Sequence, residues 1–588
     1  KQGCCSASFK HRECPPSCTG QCRKSRTDFQ STRSDGSYDI VIIGAGCIGS
    51  CIARELSKTK ASVLLLDAAD DVTQGATKGN SGIVHAGYDD KPNSVRAKYC
   101  WPGNQMFEQL DNELHFGYQK NGSLVVAMNE EEEKILQELL ERGDANGVKN
   151  LRIIDRAEVM KREPEINPAC TAALYSPDAG TLIPYEFTIA LAENAADNGV
   201  EVRVRRKVVA ITRESERGEK GFVITAHHWE PKNNDKNSEK IKKNLSLMQR
   251  VITVLPIFLA IFAWYFLGGT WNVNTIGIFV LGCILSGILA VIQGKSGEHL
   301  DTDENCVDVE PSPGTYLRGN SVVEEIRTDF IVNCGGCYSD EIANMVGDHS
   351  FKIKPRIGDY ILLHKREGGR VYHTLFPTPH PVLGKGVLVQ STLWGNLILG
   401  PTARDTLKFN PETNSYEKDE AVLSESPESV MRYILSKCRH LVPGFNASEV
   451  IHTFAGTRAK STRGDWVIEP CSTAPGMIHA AAIDSPGLAG SPAIAIAVVN
   501  MLKEAGANVT QMKENFNPNR EPIIIPKNGW KGIKCGPVGK HTDPDMNVIC
   551  KCEKVTEREV MTACHRSLPV DSTQAIRKRT RAGMGHCQ

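Results

Sequence analysis

The sequence predicts an α/β fold built on a parallel sheet, and two observations support this prediction. An apolar run at residues 40–43 breaks on Gly44-Ala-Gly46-Cys-Ile-Gly49, continues as a helical pattern, and is followed by a second apolar run at residues 63–66. A helical pattern leads into another strand at residues 179–204. Strands that alternate with helices in this way form parallel sheets.

The glycine pattern is typical of a Rossmann-like dinucleotide-binding unit. Gly44 permits a tight turn, Gly46 lets the backbone approach a pyrophosphate, and Gly49 lets helix and strand pack closely. The phosphates would lie at the helix N-terminus, and Asp67 would accept a hydrogen bond from a ribose hydroxyl. The alternative is a glycine turn in an ordinary α/β domain, but the two flanking strands and the acidic residue favour the dinucleotide site.

Length, charge and cysteine content limit the possible classes of protein. A chain of 588 residues with 40% hydrophobic side chains is long enough for three or four domains or sub-domains. The formal net charge is zero, which gives no basic field for nucleic acid, so we predict no nucleic-acid partner. The 20 cysteines are scattered, many of them within apolar segments, and are interpreted as mostly reduced thiols.

Residues 1–37 are polar, basic and rich in Ser and Cys, and they predict a disordered segment. Cys14, Cys18 and Cys22 are evenly spaced, and a metal site is one interpretation of this spacing. The remnant of a mitochondrial presequence explains the same composition. Both interpretations stay open.

The segment after the first βαβ unit is GATKGNSGIVHAG, residues 75–87. Together with the glycine pattern it resembles the FAD-dependent oxidoreductases related to D-amino-acid oxidase, in the branch of glycerol-3-phosphate dehydrogenase and L-2-hydroxyglutarate dehydrogenase. The resemblance implies FAD as the cofactor and places His85 near the flavin, where a His can move a proton. A packed His on a strand is the alternative. The same resemblance implies that the cofactor is wrapped by Thr77, Asn80, Ser81 and Gly82.

Later segments continue the resemblance in the same order. A strand at residues 329–333 leads into Cys334-Gly335-Gly-Cys337 beside the cofactor; the C-x-x-C is either redox-active or simply small enough to pass the FAD. Residues 355–360 and 396–402 resemble strands of an antiparallel substrate-cap sheet. In the segment 454–458, Arg458 would lie over the flavin and hold an anionic group, for which its planar donor fork is suited. Tyr360 is the next candidate base after His85. The closing FAD motif includes Gly487 and Leu488.

Residues 228–320 interrupt the resemblance and contain two charge-free apolar stretches, 251–269 and 276–292. Each is close to the roughly 30 Å of hydrocarbon that a membrane helix crosses. Five basic residues precede the first stretch, and the link between the two is short and uncharged. We predict a transmembrane helical hairpin whose ends lie on the basic side with the catalytic domains. A helix pair buried against the enzyme is the alternative.

The C-terminal block resembles the small 2Fe–2S domain of the bacterioferritin-associated ferredoxin type. That family uses C-x-C, a long gap and then C-x4-C, and thiolates at such spacing can hold an iron–sulfur cluster. The matching residues are Cys550, Cys552 and Cys587, and the sequence ends before a fourth position. Three explanations stay open: the sequence is cut short, Cys535 or Cys564 substitutes, or the small helical domain is only structural.

The predicted architecture is therefore a Rossmann-like FAD-binding domain with an inserted substrate-cap sheet, an inserted transmembrane hairpin and a small helical C-terminal domain. The boundaries are 1–37 for the disordered segment, 38–227 for the FAD-binding domain with the start of the cap, 228–320 for the insertion, 321–515 for the rest of the FAD-binding and cap domain, 516–547 for a linker and 548–588 for the ferredoxin-like domain.

The resemblance implies an FAD dehydrogenase that takes a small anionic hydroxy substrate, and the two apolar stretches predict that it is anchored in a membrane. Glycerol 3-phosphate is the first candidate, with quinone as the electron acceptor, and L-2-hydroxyglutarate or another 2-hydroxy acid is the second. A different possibility is an accessory FAD-binding subunit of a respiratory membrane complex. The expected location is the mitochondrial inner membrane with the catalytic domains on the matrix side, or the cytoplasmic membrane in a bacterium.

Overall fold

The structure is a computed structural model that describes residues 32–213, 221–229, 321–379, 386–411, 415–524, 547–568, 570 and 572–585. The chain divides into two units, residues 1–227 with 323–588, and residues 228–322. The described residues belong almost wholly to the first unit. The predicted hairpin at 251–269 and 276–292 lies outside them, as do Cys14, Cys18, Cys22, Cys535 and Cys587. In the ranges given above, no helix has the length and apolar character needed to cross a membrane.

The described strands are β1 Tyr38–Ile43, β2 Val63–Leu66, β3 Ile83–Val84, β4 Tyr118–Gln119, β5 Ser123–Ala127, β6 Arg152–Asp155, β7 Ala172–Ser176, β8 Gly180–Leu182, β9 Glu201–Arg203, β10 Arg206–Arg213, β11 Phe222–Trp229, β12 Ser321–Asn333, β13 Ile353–Leu363, β14 Thr374–Pro377, β15 Leu388–Ser391, β16 Leu397–Gly400, β17 Arg404–Asp405, β18 Leu407–Asn410, β19 Ser415–Lys418, β20 Val450–Ser461, β21 Val467–Pro470, β22 Met477–Ala481, β23 Val548–Cys550 and β24 Val555–Thr556.

The described α-helices are α1 Cys47–Ser57, α2 Val95–Asn104, α3 Phe107–Leu114, α4 Glu130–Ala145, α5 Arg156–Arg162, α6 Pro184–Asp197, α7 Ser339–Asn344, α8 Glu420–Leu423, α9 Pro427–Leu441, α10 Gly487–Glu504, α11 Glu557–Cys564 and α12 Thr573–Thr580.

The main sheet runs in the order β10-β11-β12-β1-β2-β9, and β22 pairs with both β12 and β21. Strands β12, β1, β2 and β9 are parallel, which confirms the predicted α/β class. Alternate residues of β1 enter different cores: Ile40 and Ile42 pack in one hydrophobic cluster, and Val41 and Ile43 pack in another. A strand that is buried on both faces has a continuous apolar sequence, which explains the run at residues 40–43.

A second sheet of nine strands forms the cap, in the order β17-β13-β16-β15-β14-β5-β7-β6, with β20 paired to β13. It is mostly antiparallel, but β14 and β5 are parallel, so the prediction of a purely antiparallel cap is wrong at this pair. These two strands come from distant parts of the chain, and nothing local fixes their relative direction. The long antiparallel pair of β13 and β20 brings Arg458 and Tyr360 onto the same sheet.

Some local boundaries differ from those that the sequence predicts. The sequence predicts a helix over residues 179–198, but the first part of this segment forms the strand β8, which pairs with β3 and β4. The helix α6 starts only at Pro184. Proline is favoured at the first position of a helix because an N–H at that position would have no partner within the helix.

Residues 32–37, placed by their composition in the disordered segment, form a turn in which Arg33 ion-pairs with Asp39 and Asp329.

The C-terminal segment packs on the cofactor domain. The guanidinium of Arg579 on α12 is fully buried and binds both carboxylate oxygens of Asp71, at 2.7 and 2.8 Å. Within the predicted linker, Arg520 binds the buried Glu193 at 2.7 Å. Removing one partner of such a pair leaves an uncompensated buried charge, so these pairs specify where the segment docks.

Candidate active site

The glycine pattern forms the cofactor turn, residues 44–49, between β1 and α1. Gly44 has φ +109°, and a Cβ there would lie 2.2 Å from the carbonyl oxygen of Cys334. A Cβ on Gly49 would lie 1.9 Å from the carbonyl oxygen of Gly44. A Cβ on Gly46 would meet only the Thr77 hydroxyl, at 3.1 Å. Two of the glycines therefore permit close backbone packing, and the third has no Cβ that would crowd the Thr77 hydroxyl at the start of α1.

Side chains hold the backbone of the cofactor turn in place. Asp67 accepts hydrogen bonds from the N–H groups of Ala45 at 2.7 Å and Ala69 at 2.8 Å, and the Thr77 hydroxyl accepts one from Cys47 at 3.0 Å. Enclosure raises the pKa of Asp67, and the two backbone donors oppose this rise. Each carboxylate oxygen has a further lone pair. Asp67 can thus stabilise the turn and still accept a hydrogen bond from a ribose hydroxyl.

The cofactor loop, residues 75–82, is held between the cap and the main domain. Asn80 donates to the Thr77 carbonyl at 2.7 Å and accepts from the Gly82 N–H at 2.8 Å. A Cβ on Gly79 would lie 2.7 Å from the Cα of Gly456 on β20. The backbone of the loop therefore contacts the cap strand that carries Arg458.

The register of β13 with β20 places the predicted substrate residues on one face. Tyr360 pairs with Phe454 and Arg356 pairs with Arg458, and alternate residues of a strand share a face. The Tyr360 and Phe454 rings are stacked at 4.7 Å. Burial raises the pKa of Tyr360, while Arg458 and Ser81 act in the opposite direction by charge and hydrogen bonding. The structure thus brings Tyr360, Arg458 and Ser81 together, and Tyr360 stays protonated at neutral pH.

The same face of the cap carries two cations that form no ion pair with the carboxylates the structure describes. Arg356 is neutralised by a bidentate pair with Asp405, at 2.7 and 2.6 Å. Among the described residues, neither Arg458 nor Lys460 has a carboxylate oxygen within ion-pair distance. Burial, and then the neighbouring Arg356, lower the pKa of Lys460. Asp405 and Asp484 act in the opposite direction on this pKa, but neither forms an ion pair with Lys460, so both cations can contact an anion.

His85 follows β3 and lies at the junction of the cofactor domain and the cap. Its carbonyl oxygen accepts from the Asn104 side chain at 3.2 Å. Its half-buried ring lies 5.8 Å from the ring of Phe376 on cap strand β14. The backbone of His85 is thus fixed by the cofactor domain while its ring faces the cap.

The closing motif is fixed by residues that sequence reasoning missed. Gly487 donates its N–H to the Asp484 carbonyl at 2.7 Å, and α10 begins there with Leu488 half-buried in its first turn. The Asp484 carboxylate accepts from Trp466 at 3.0 Å and from Arg96 at 2.8 Å. No sequence signal connects Arg96 with Asp484, because only the fold brings them together.

Of the predicted cluster ligands, the thiol pair, Cys550 and Cys552, is described, with the two sulfur atoms 3.6 Å apart. The Gly583 N–H points at the Cys550 sulfur at 3.4 Å. The next residue, Met584, accepts a hydrogen bond from Tyr185 at the start of α6. The preceding residue, Pro184, would be 3.2 Å from a Cβ on Gly82. The thiol pair and the cofactor loop therefore both lie close to the start of α6.

These features define a class of protein. The helix α1 begins at the cofactor turn, and Asp67, which follows β2, keeps lone pairs for a further hydrogen bond. The antiparallel pair of β13 and β20 faces the cofactor loop with cationic and phenolic side chains. The residues present fit a dinucleotide, since a helix begins directly after the glycine turn and Asp67 keeps lone pairs for a ribose hydroxyl. The class is a two-domain enzyme that holds a dinucleotide cofactor under a substrate cap.

Comparison with known proteins identifies the family. The chain belongs to the DAO family of FAD-dependent oxidoreductases, whose sequence pattern matches residues 39–255 and 295–501. The gap between the two matched parts lies within the predicted insertion. The predictions of FAD and of an oxidoreductase are confirmed.

Three proteins illustrate the similarity. A glycerol 3-phosphate dehydrogenase of Caloramator mitchellensis is 34% identical over 94% of this chain and 91% of its own length. A mitochondrial L-2-hydroxyglutarate dehydrogenase of Pongo abelii is 25% identical over 70% of this chain and 79% of its own. The solved structure of the FAD-bound L-alpha-glycerophosphate oxidase from Mycoplasma pneumoniae covers 82% of this chain and 98% of its own, with a TM-score of 0.57 and 22% identity, and shows the same fold.

Proposed function

We propose that the protein oxidises glycerol 3-phosphate to dihydroxyacetone phosphate. The observation that carries this proposal is the position of Arg458 on the cap face beside Tyr360, with Lys460 further along the same strand; neither cation forms an ion pair with a described carboxylate. A phosphate concentrates two negative charges on one group, and a planar guanidinium matches its oxygen atoms. The similarity to a glycerol 3-phosphate dehydrogenase over nearly the whole chain supports the same substrate.

FAD, when bound, supplies the two-electron oxidation of the carbinol carbon. The protein residues bind and orient the substrate and move its proton. Arg458 holds the anionic end, and its hydrogen bond to the Thr402 carbonyl at 3.1 Å fixes the direction of its side chain. His85 takes the hydroxyl proton. Tyr360, whose pKa is raised by burial, serves as a hydrogen-bond donor instead of a base.

L-2-hydroxyglutarate or another 2-hydroxy acid is the alternative substrate, because Arg458 also matches a carboxylate. The similarity to a mitochondrial L-2-hydroxyglutarate dehydrogenase supports this alternative. A role as an accessory FAD-binding subunit of a respiratory complex, without turnover, is a further alternative.

Anaerobic titration of the purified FAD-bound protein distinguishes these proposals. Glycerol 3-phosphate is expected to bleach the flavin absorption at a lower concentration, and faster, than L-2-hydroxyglutarate or unphosphorylated glycerol. Faster bleaching by L-2-hydroxyglutarate would make that acid the substrate and contradict the proposal of glycerol 3-phosphate. Bound FAD that dithionite reduces but none of the three compounds reduces would support the accessory role.

We also propose that electrons leave through the C-terminal segment to membrane quinone, with a 2Fe–2S cluster on the thiol pair. The position of both the cofactor loop and the thiol pair near the start of α6, at Pro184 and Tyr185, supports this route. The separation of 3.6 Å between the two sulfur atoms lets both thiolates bind one iron.

Iron analysis tests the cluster. Protein purified without oxygen is expected to hold about two iron atoms per chain, and Cys550→Ser should lose them while FAD remains bound. Cys170→Ala, a buried thiol of the cap, is the matched control and should keep its iron. Equal iron content in the wild type and Cys550→Ser would exclude the thiol pair as a ligand. Loss of iron in Cys564→Ser would identify Cys564 as a further ligand.

We propose membrane anchoring by the two apolar stretches of residues 251–269 and 276–292, on the basis of their length, their lack of charge and their basic flank. Their orientation would place the catalytic domains on the matrix side of a mitochondrial inner membrane. Replacing residues 251–292 with a short polar linker is expected to convert a protein that needs detergent for extraction into one released by carbonate, with FAD still bound. Release of the full-length protein by high salt alone would contradict the proposal.

A further inference from the structure

A cluster of buried polar side chains lies beside the cofactor turn and takes no part in the chemistry proposed above. Its members are Asn333, Asp348, Cys471 and His479, and each is less than a tenth exposed. Asn333 and His479 are direct neighbours on the parallel strands β12 and β22, and Asn333 is also paired with Ile43, the residue before Gly44. The cluster is therefore at the carboxyl ends of the central strands, where cofactors bind in α/β sheets.

Asp348, Cys471 and His479 have the residue types and proximity of a metal site, since one potential ligand atom from each lies within 4.8 Å of the others. The hydrogen bonds of Asn333 argue against that assignment. Its amide nitrogen donates to the Ser339 carbonyl at 2.7 Å, and its amide oxygen accepts from the Gly335 N–H at 3.1 Å. Both partners are backbone groups with fixed roles, so the orientation of the amide is determined.

The orientation of Asn333 in turn determines the tautomer of His479. The Asn333 amide nitrogen lies 3.2 Å from Nδ1 of His479 and can only donate, so Nδ1 has no proton. The proton is on Nε2, which donates to the Asp348 carboxylate at 3.0 Å. With its proton on Nε2 and its Nδ1 lone pair accepting from Asn333, His479 has no lone pair left for a metal.

We infer that neutral His479 is a positioning residue for the FAD site: it holds Asn333, which holds the glycine turn at Cys334 and Gly335 against the cofactor turn. The connection is direct, because the Cys334 carbonyl oxygen lies only 2.2 Å from where a Cβ on Gly44 would be. Asp348 is fixed at the other end of the network by the Ser350 N–H at 2.9 Å and by the Cys471 thiol at 3.5 Å.

The network has a sensitivity to pH whose sign follows from the tautomer. If Nδ1 of His479 were protonated, two donors would face each other, because the Asn333 amide nitrogen is also a donor. The hydrogen bond between His479 and Asn333, which holds the glycine turn, would then be lost. The charged and titratable groups around His479 are Asp348, Cys471, Glu469 on β21 and Arg463, which pairs with Glu469. Burial lowers the pKa of His479 below its ordinary 6.5. The neutral form is thus favoured by the fold, and its stabilising effect is lost as the pH falls below 6.5.

Glutamine at position 479 reproduces the neutral tautomer without titrating, because its amide nitrogen can donate to Asp348 and its oxygen can accept from Asn333. FAD dissociation constants are measured by flavin fluorescence for the wild type, His479→Gln, His479→Leu and the matched control His440→Gln, an exposed His on α9. Between about pH 7.5 and 5, we expect the wild-type and control constants to rise about 10-fold more than that of His479→Gln, the effect of one lost hydrogen bond.

At neutral pH, His479→Gln should bind FAD like the wild type, and His479→Leu should bind it more weakly or fail to fold. Identical pH profiles for the wild type and His479→Gln would overturn the inference, as would a loss of FAD from His479→Gln at neutral pH as large as that from His479→Leu. One equivalent of zinc in the wild type that His479→Gln lacks would restore the metal assignment and also overturn it.

Discussion

Replacing His85 with alanine is expected to slow flavin reduction by about 10²- to 10⁴-fold, the usual contribution of a general base. The reason is that the substrate hydroxyl then has no positioned proton acceptor. The FAD dissociation constant should change little, because the carbonyl oxygen of residue 85, which accepts from Asn104, is retained in alanine. Raising the pH should partly restore the rate, since hydroxide or a weaker base can replace the imidazole.

The measurement is single-turnover bleaching of the flavin by glycerol 3-phosphate across the pH range. Tyr360→Phe is the matched comparison, because it removes the phenolic hydroxyl and keeps the ring that stacks on Phe454. Since burial raises the pKa of Tyr360, we expect its loss to slow bleaching less than the loss of His85 at neutral pH. If His85→Ala reduces its flavin at the wild-type rate and Tyr360→Phe does not, His85 is a packing residue and the proton is taken by Tyr360.

Replacing Arg458 with alanine is expected to lower the specificity for glycerol 3-phosphate by about 30- to 1000-fold, which corresponds to about 2–4 kcal/mol for a lost charge-assisted contact. If Arg458 binds the anion equally in the ground state and the transition state, most of the loss should appear in the apparent substrate constant, with a smaller effect on the maximal rate of flavin reduction. Arg458→Lys should recover part of the affinity through charge but none of the bidentate geometry.

Arg432→Ala is the matched control, because it removes an exposed guanidinium paired with Glu428 on α9, away from the cap face. It should leave both the substrate constant and the maximal rate unchanged. Bleaching rates of the wild type, Arg458→Ala, Arg458→Lys and the control are compared over a range of glycerol 3-phosphate concentrations. An unchanged substrate constant in Arg458→Ala would place the anion elsewhere, and Lys460 would then be the first residue to test.

The sequence by itself determined the cofactor and the class of fold, because the information for both is local. The residues 44–49 have a steric requirement that a short segment can express: two glycines whose missing Cβ atoms allow the turn to pack. The apolar run of β1 indicates a strand that is buried on both faces. Resemblance along the chain also identified His85, Tyr360 and Arg458 as candidates.

The tertiary structure alone decided which distant residues meet. Arg458 and Tyr360 share a face because β20 pairs with β13 in one particular register, and the sequence does not specify that register. Two further contacts join segments that are far apart in the chain: β14 pairs with β5 in parallel, and Arg96 binds Asp484. The tautomer of His479 depends on the amide orientation of Asn333, which backbone groups of the glycine turn fix. Periodicity and spacing describe neighbours along the chain, whereas these contacts are selected by the packing of the whole domain, so they could not be predicted from the sequence.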